Sequence, residues 1–190
     1  NGLDVLAVCE TWIKDDMPAA ITSDIAPSNY SVLHVNRPRT ATKGCSKTTR
    51  TGGGGLALIY GYDLLAQPLK TRFSPTSFEL QLVGLQVGKV LIKVANIYRP
   101  PDKSDVKFLD EFADMLTLIG AGINERLLIC GDFNLPGDEP IKIDERLSML
   151  LDTHGYQQHV TGPTRRASNA LLDLIISPAS TSPSSLSLAQ

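Results

Sequence analysis

The stretch FELQLVGLQVGKVLIKVANIY, residues 78–98, carries a clear strand pattern on both sides of a glycine. Phe78, Leu80 and Leu82 alternate with polar residues, so they fall on one face of an extended segment. Gly88 and Lys89 suit a tight turn, and a second apolar run begins directly after them. We therefore predict a β-hairpin whose strands are residues 78–87 and 90–98.

The segment after the hairpin predicts a helix and then a further strand. Ser104 is a suitable N-cap, and apolar residues recur at spacings of three and four from there to Ile119. The run LLICGDFN, residues 127–134, has the composition of a buried strand. A second helix from 143 to 154 is expected to end before Gly155. Further strands are predicted at 3–8, 31–35, 56–60, 158–162 (QHVTG) and 171–177 (LLDLIIS).

This order of elements predicts an α/β protein whose sheets pack on each other and carry helices outside. The 190 residues suit one domain, which we expect to span residues 1–177. Residues 178–190 are rich in serine and proline and are predicted to form a poorly ordered tail. The chain begins almost directly in a strand, so we expect it to be a piece of a longer protein.

The charge distribution is balanced overall but uneven locally. The net charge is −2, so nucleic-acid binding has to rest on local charge. Residues 36–51 carry only basic charges and predict a flexible loop that either contacts DNA phosphates or is solvated. Gly52–Gly55 precede a strand and lack the Gly-Lys-Ser/Thr of a phosphate-binding loop, so we expect a tight backbone crossing. The basic residues are Arg37, Arg39, Lys43, Lys47 and Arg50.

The three cysteines are odd in number and form no Cys-x-x-Cys pair. This argues against a disulfide framework and for a reducing compartment, nuclear or cytoplasmic, not a secreted location. No apolar run approaches the roughly 18 residues that cross a bilayer, so no membrane partner is expected.

Acidic residues accompany several of the predicted buried strands. Glu10 and Asp132 each close an apolar run, and Asp173 lies inside one. A single such acid would be read as a turn cap or an ion pair, but three of them favour a site, because buried carboxylates need partners or a metal. Asp132 and Asn134 are two apart, so both are expected to face one ligand. Carboxylate and amide groups suit a hard cation and phosphate ester chemistry, not zinc or thiol chemistry.

The motifs CETW (9–12), NIYRPP (96–101), GDFN (131–134) and LLDLIIS (171–177) together resemble the endonuclease/exonuclease/phosphatase superfamily. Two longer stretches, residues 52–60 and 160–177, resemble the apurinic-endonuclease-like endonuclease domain of non-LTR retrotransposons. The resemblance implies a four-layer sandwich of two packed mixed or antiparallel sheets flanked by helices. It also implies Mg²⁺-dependent nicking of DNA for retrotransposition, with Mn²⁺ as a second candidate and a reverse transcriptase domain downstream.

The resemblance assigns a role to each matching position. Glu10 matches the metal-binding glutamate, and Tyr98 matches a tyrosine that contacts the scissile phosphate. Asp132 matches the aspartate that positions or activates the attacking water, and Asn134 the asparagine that supports the phosphate. Asp173 matches the aspartate that orients a catalytic histidine.

Contacts with DNA are expected from a second set of residues. Thr164 occupies a position that this branch places near DNA, and Arg165 shares the loop that leads to Asp173. Arg99 is expected to pair either with a site acid or with a phosphate. Trp12 is expected either to pack against the wall of the site or to stack on a base.

The family pattern also includes parts that this sequence does not contain. An asparagine-bearing strand is expected before residue 1, and a Ser-Asp-His strand after residue 190. None of His34, His154 and His159 follows Ser-Asp, so none of them is expected to be the catalytic histidine. His159 is expected to be structural, and His154 to pack or to be solvated. We therefore expect a chain truncated at both ends with impaired activity. The alternatives are a phosphoesterase acting on phosphoinositides or other small phosphoesters, and an inactive retroelement remnant.

Overall fold

The computed structural model describes residues 3–14, 16–37, 53–120 and 125–179. Most of the predicted basic loop (38–51) and the tail from residue 180 lie outside these ranges. The described elements are β1 (Val5–Cys9), α1 (Ala19–Asp24), β2 (Tyr30–Val35), β3 (Leu56–Gly61), β4 (Leu65–Pro68), β5 (Glu79–Val87), β6 (Val90–Tyr98), α2 (Asp105–Ile119), β7 (Glu125–Asp132), α3 (Glu145–Thr153), β8 (Tyr156–Gln158) and β9 (Asp173–Pro178).

The strands form two sheets. The smaller sheet is antiparallel, with the order β1-β3-β2. The larger sheet has the order β4-β5-β6-β7-β9-β8, and β6 and β7 are its parallel pair. The predicted hairpin of β5 and β6 is confirmed, with Val87 paired to Val90 at the turn.

Two apolar cores hold the layers together. Between the sheets, Leu58 of β3 packs with Val83, Leu85 and Val94 of the larger sheet. The opposite face of the larger sheet is covered by α2 and α3, whose apolar sides are buried there as the spacing predicts. The predicted α/β sandwich of two packed sheets with flanking helices is confirmed. The helical residues in this larger core are Phe108, Leu109, Phe112, Met115, Leu116, Ile119, Leu147 and Leu151.

The unit β6-α2-β7 decides where chemistry can occur. Helix α2 begins after Ser104, whose hydroxyl accepts from Lys107 N at 3.4 Å, and it carries the chain back so that β7 runs parallel to β6. The carboxyl ends of both strands therefore meet, and Tyr98 lies beside Asp132. Gly131 makes this close approach feasible, because a Cβ there would lie 1.9 Å from the carbonyl oxygen of Ile97.

Three elements differ from the sequence-based expectation. Helix α1 and strand β4 were not predicted, since α1 buries no residue and β4 is a short edge strand that ends in Pro68. The strand predicted at 158–162 is wrong in position, because β8 begins directly after Gly155 and pairs Tyr156 with Pro178. None of the helices in the described ranges is long and apolar enough to cross a membrane.

Candidate active site

The five predicted site residues come together at one end of the sandwich. Tyr98 closes β6 beside Asp132 at the end of β7, and Asp132 is paired with Asp173 at the start of β9. Glu10 follows β1 of the smaller sheet and reaches Tyr98, while Asn134 contacts Asp132. The site is therefore assembled from strand ends of both sheets.

Asn134 holds the Asp132 carboxylate through two hydrogen bonds. Its side-chain Nδ2 donates to Asp132 Oδ2 at 2.9 Å, and its backbone N–H donates to Oδ1 at 3.0 Å. The same Nδ2 also donates to the carbonyl of Arg99 at 2.9 Å. The expectation that an extended backbone makes Asp132 and Asn134 face the same way is wrong, because Asn134 lies beyond the end of β7 and has a φ of 45°. The left-handed backbone turns the amide back onto the carboxylate.

Asp132 is a carboxylate whose surroundings disfavour its charge. Its pKa is raised to about 6, first by burial and then by the negative charges of Asp173 and Glu10, while the two hydrogen bonds from Asn134 oppose the rise. A carboxyl group with this pKa is ionised at neutral pH and still accepts a proton readily. That is the property expected of a general base.

Tyr98 and Glu10 form a hydrogen bond between the two sheets. The Tyr98 hydroxyl donates to Glu10 Oε1 at 2.5 Å. The Tyr98 ring is buried, and burial together with the neighbouring Glu10 carboxylate raises the pKa of its hydroxyl above the ordinary value. The phenol therefore keeps its proton and acts as a hydrogen-bond donor. Glu10 is exposed at the mouth of the site.

The turn that carries Glu10 is held by the glycine-rich segment before β3. Glu10 and Trp12 both have left-handed backbone conformations, with φ values of 55° and 58°. Trp12 N donates to the carbonyl of Gly54 at 2.9 Å, and Thr11 N donates to that of Gly55 at 3.2 Å. Conformations of this kind persist where surrounding contacts impose them. The glycine backbone, which was predicted to pass close to another segment, therefore positions Glu10.

The Arg99 side chain is buried and bonds to neighbouring parts of the chain. Its side chain is only 2% exposed, and Nη1 donates to the carbonyl of Asn134 at 2.7 Å. Nη2 donates to the carbonyl of Lys103 at 2.5 Å and to the carboxylate of Asp105. Pairing with a site acid or with a phosphate was expected for Arg99. Its partner is Asp105 at the start of α2, and it holds the backbone of the Asn134 turn.

The remaining candidates lie at the rim. Thr164 Oγ1 accepts from the backbone N–H groups of Leu172 and Asp173, each at 3.0 Å, and so fixes the start of β9. Arg165 is exposed beside it. Trp12 is 57% exposed, so it does not pack into the wall of the site.

The histidine side chains contact neighbouring protein groups. His34 Nε2 lies 2.7 Å from Thr11 Oγ1, and His159 Nε2 lies 2.8 Å from Ser177 Oγ. The ring of His154 contacts the carbonyl of Leu150 at 3.0 Å, within its own helix. Each of the three rings is thus held by a neighbouring protein group.

Sequence reasoning missed two residues next to Tyr98. Arg37 forms an ion pair with Glu79, and its guanidinium lies over the Tyr98 ring. Arg37 was treated as part of a basic loop, and Glu79 as one of the polar residues of a strand. They are 42 positions apart, and no local pattern in the sequence connects them.

The donor groups of the site fit a hard divalent cation. In the described ranges no group of three or more His, Cys, Asp or Glu side chains forms a complete metal cage. A magnesium-type ion keeps several waters, however, and needs only one or two carboxylates. Glu10 offers an exposed carboxylate, and the excess of negative charge that raises the pKa of Asp132 would be relieved by a cation.

Comparison with known proteins agrees with this arrangement. The model of the Endonuclease/Exonuclease/phosphatase family matches residues 1–181. No curated protein matches the chain. Among solved structures, the endonuclease domain of TRAS1, a telomere-specific non-LTR retrotransposon, is 16% identical with a TM-score of 0.53, covering 78% of this chain and 64% of that domain.

Two further structures share the fold at similarly low identity. The mannosyl-6-phosphatase Bt3783 of Bacteroides thetaiotaomicron is 12% identical with a TM-score of 0.56, covering 94% of this chain and 72% of that one. An AP endonuclease from Archaeoglobus fulgidus is 16% identical with a TM-score of 0.53, covering 92% and 76%. At these identities the likeness establishes the fold alone. The chain spans less than two thirds of the TRAS1 domain.

Proposed function

The chain belongs to the endonuclease/exonuclease/phosphatase family, and from this membership we propose that it is a metal-dependent endonuclease that hydrolyses phosphodiester bonds in DNA. The observation that carries the proposal is the state of Asp132. Its carboxylate is held by Asn134 beside Tyr98, and its pKa is raised to about 6 by burial and by neighbouring acids. A proton acceptor with this pKa next to two neutral donors suits the hydrolysis of an anionic phosphodiester.

In the proposed reaction, neutral donors bind the scissile phosphate. The Tyr98 hydroxyl keeps its proton because its pKa lies above the ordinary value. When substrate binds, this single O–H exchanges its bond to Glu10 for a bond to a phosphate oxygen. One N–H of the Asn134 amide orients Asp132, and the other, which bonds the carbonyl of Arg99, provides the second donor by sharing its hydrogen with the phosphate. Donors fixed in advance stabilise the charge that develops during attack.

Asp132 then takes a proton from the attacking water. The water oxygen forms a bond to phosphorus as the bond from phosphorus to the 3′ oxygen breaks, and the leaving oxygen is protonated from solvent. The products are a 3′-hydroxyl and a 5′-phosphate. Asp173, paired with Asp132 across the ladder, helps to keep the pKa of Asp132 near 6.

A divalent cation is part of the proposal, with Mg²⁺ as the ion and Mn²⁺ as its substitute. When bound, such an ion supplies Lewis-acid stabilisation of charge on the phosphate and the leaving oxygen. Glu10 is the residue we assign to hold it, because its carboxylate is exposed at the mouth of the site. Before substrate and cation bind, Glu10 accepts the Tyr98 hydroxyl, and this bond places the two side chains next to each other.

A retroelement origin is the finer part of the proposal. It is supported by the motifs at 52–60 and 160–177 and by the fold shared with the TRAS1 endonuclease domain. On this reading the 3′-hydroxyl at the nick primes reverse transcription, with a polymerase domain farther along the same polyprotein. An endonuclease that primes reverse transcription in this way would act in the nucleus or the cytoplasm.

A plasmid-nicking assay tests the proposal. Supercoiled plasmid is incubated with the chain and Mg²⁺ or Mn²⁺, and the relaxed form is quantified. We expect nicking that EDTA stops and that Asp132→Asn reduces by about 10²–10⁴-fold, the usual contribution of a general base. The matched control is Asp152→Asn on the exposed side of α3, which should nick like the wild type. Equal nicking by the Asp132 variant would refute the assignment.

A phosphoesterase is the second candidate, supported by the fold shared with the mannosyl-6-phosphatase. The same preparations are assayed in parallel with phosphoinositide headgroups and sugar phosphates. Release of phosphate without plasmid nicking would transfer the proposal to this substrate class. No hydrolysis of either class, in a chain that remains folded by circular dichroism, would favour an inactive remnant.

A further inference from the structure

Arg37 lies against the active-site tyrosine, although the sequence places it at the edge of a basic segment. Its Cζ atom is 5.6 Å from the centroid of the Tyr98 ring, a cation–π distance. Its Nε donates to Glu79 Oε1. Arg37 follows β2 of the smaller sheet and Glu79 begins β5 of the larger one, so this ion pair links the two sheets beside the site.

Glu79 fixes one edge of the guanidinium. It is paired with Tyr98 in the β5–β6 ladder, and its Oε2 accepts from Gly55 N at 2.8 Å. The Glu79 side chain is only 10% exposed and that of Arg37 is 24% exposed, so the pair is largely withdrawn from solvent. The surroundings are shaped for it, since a Cβ at Gly54 would lie 2.2 Å from Arg37 Nε.

The terminal nitrogens at the other edge of the guanidinium, Nη1 and Nη2, make no hydrogen bond to the part of the chain that the structure describes. The terminal nitrogens of an arginine match two oxygens of a phosphate.

The negative charge of the site favours a positively charged side chain near the phosphate. Glu10, Asp132 and Asp173 surround the position where a phosphodiester, itself an anion, has to bind. Arg99 cannot balance this charge, because carbonyl groups and Asp105 occupy its guanidinium.

Resting on the proposed function, we propose that Arg37 binds the scissile phosphate with its terminal nitrogens while Glu79 and the Tyr98 ring hold its plane. Arg37 is thus a further substrate-binding residue of the site. It brings a positive charge to the same phosphate that the Tyr98 hydroxyl contacts.

Salt-dependent DNA binding tests this inference. The affinity of the chain for a short DNA duplex is measured in EDTA over a range of salt concentrations, so that no turnover occurs. For Arg37→Gln we expect weaker binding and a slope of log K against log salt reduced by about 0.9, the loss of one phosphate contact. Arg37→Lys should keep most of the slope, because a charge remains, but bind less tightly than the wild type.

The matched control is Arg126→Gln, an exposed arginine at the start of β7, opposite the Asp132 end. Its slope should equal that of the wild type. An unchanged slope in Arg37→Gln, or a loss of thermal stability without a change in slope, overturns the inference.

The plasmid assay keeps this inference distinct from the proposed function. If the wild type nicks plasmid and Arg37→Gln leaves the slope of log K against log salt unchanged, the role of Arg37 is refuted and the endonuclease proposal stands. A reduced slope without any nicking supports Arg37 as a phosphate ligand and refutes the endonuclease. A wild type without affinity for DNA overturns the role of Arg37.

Discussion

The hydroxyl of Tyr98 donates to Glu10 Oε1 at 2.5 Å, and this bond joins a residue of the larger sheet to one that follows a strand of the smaller sheet. The carboxylate assigned to the metal and the donor assigned to the phosphate are thus tied together. Their relative position depends on how the sheets pack, because neither sheet supplies both.

Replacing Tyr98 by Phe should lower the hydrolysis rate about 10²–10³-fold, because a donor to the developing charge is lost. The fold should lose only about 1 kcal/mol, since the ring still fills its buried position. Steady-state kinetics and urea unfolding measure the two effects. Tyr62→Phe on the surface is the matched control, as Tyr62 is 71% exposed. A rate unchanged by Tyr98→Phe would contradict the role of the hydroxyl.

Replacing Asp173 by Asn should stabilise the fold at neutral pH and leave it nearly unchanged at low pH. The folded-state pKa of Asp132, about 6, lies above the ordinary value of 3.8. The contribution of Asp132 to the free energy of unfolding is therefore fully present below about pH 4 and is lost as the pH rises through 6. Removal of the opposing charge should recover about 1 kcal/mol at pH 7.5.

Urea unfolding of wild type and Asp173→Asn at pH 4.5 and 7.5 measures this difference. A difference of the same size at both pH values would show that repulsion between the two acids is not its source. Asp152→Asn provides the control for a general change in net charge, because Asp152 is exposed on α3.

Replacing Asn134 by Ala should raise the pKa of Asp132 further, because the hydrogen bond from the side-chain amide, which favours the charged carboxylate, is lost. The acidic limb of the pH–rate profile should move to higher pH, and the plateau rate should fall. Asn134→Gly separates this effect from backbone strain, since glycine tolerates the φ of 45°. Both variants should show the same shift, and profiles with the wild-type midpoint would exclude the amide as its cause.

Replacing Gly131 by Ala should destabilise the fold by about 3 kcal/mol or more. The new Cβ would lie 1.9 Å from the carbonyl oxygen of Ile97, at a φ of 133° that non-glycine residues rarely adopt. The control is Gly162→Ala, where no heavy atom lies within 4 Å of the added Cβ. Thermal unfolding of both variants gives the comparison, and equal melting temperatures would contradict the close approach of β6 and β7.

The frame of this fold could be predicted where one pattern dominates locally. Alternation marked β5 and β6, and helical spacing after Ser104 marked α2. The acids at strand ends were singled out because a buried charge is costly unless it is paired or binds a metal. The structure brings these acids to one place.

What the sequence could not supply are partners that folding brings together from distant positions. Nothing near Arg37 points to Glu79, and the burial of Arg99 depends on a turn that only the β6-α2-β7 unit creates. Strand β8 was misplaced because three residues paired along one edge leave too short a pattern to recognise.

The two apolar cores differ in size, and this gives the molecule unequal resistance to local unfolding. Among the residues that the structure describes, four buried ones form the core between the sheets, whereas nineteen form the core beneath α2 and α3. Loosening of the smaller core would separate Glu10 from Tyr98 while the larger one remains intact. Gentle heating should therefore inactivate the protein before its helices melt, because the smaller core opens at a lower free-energy cost.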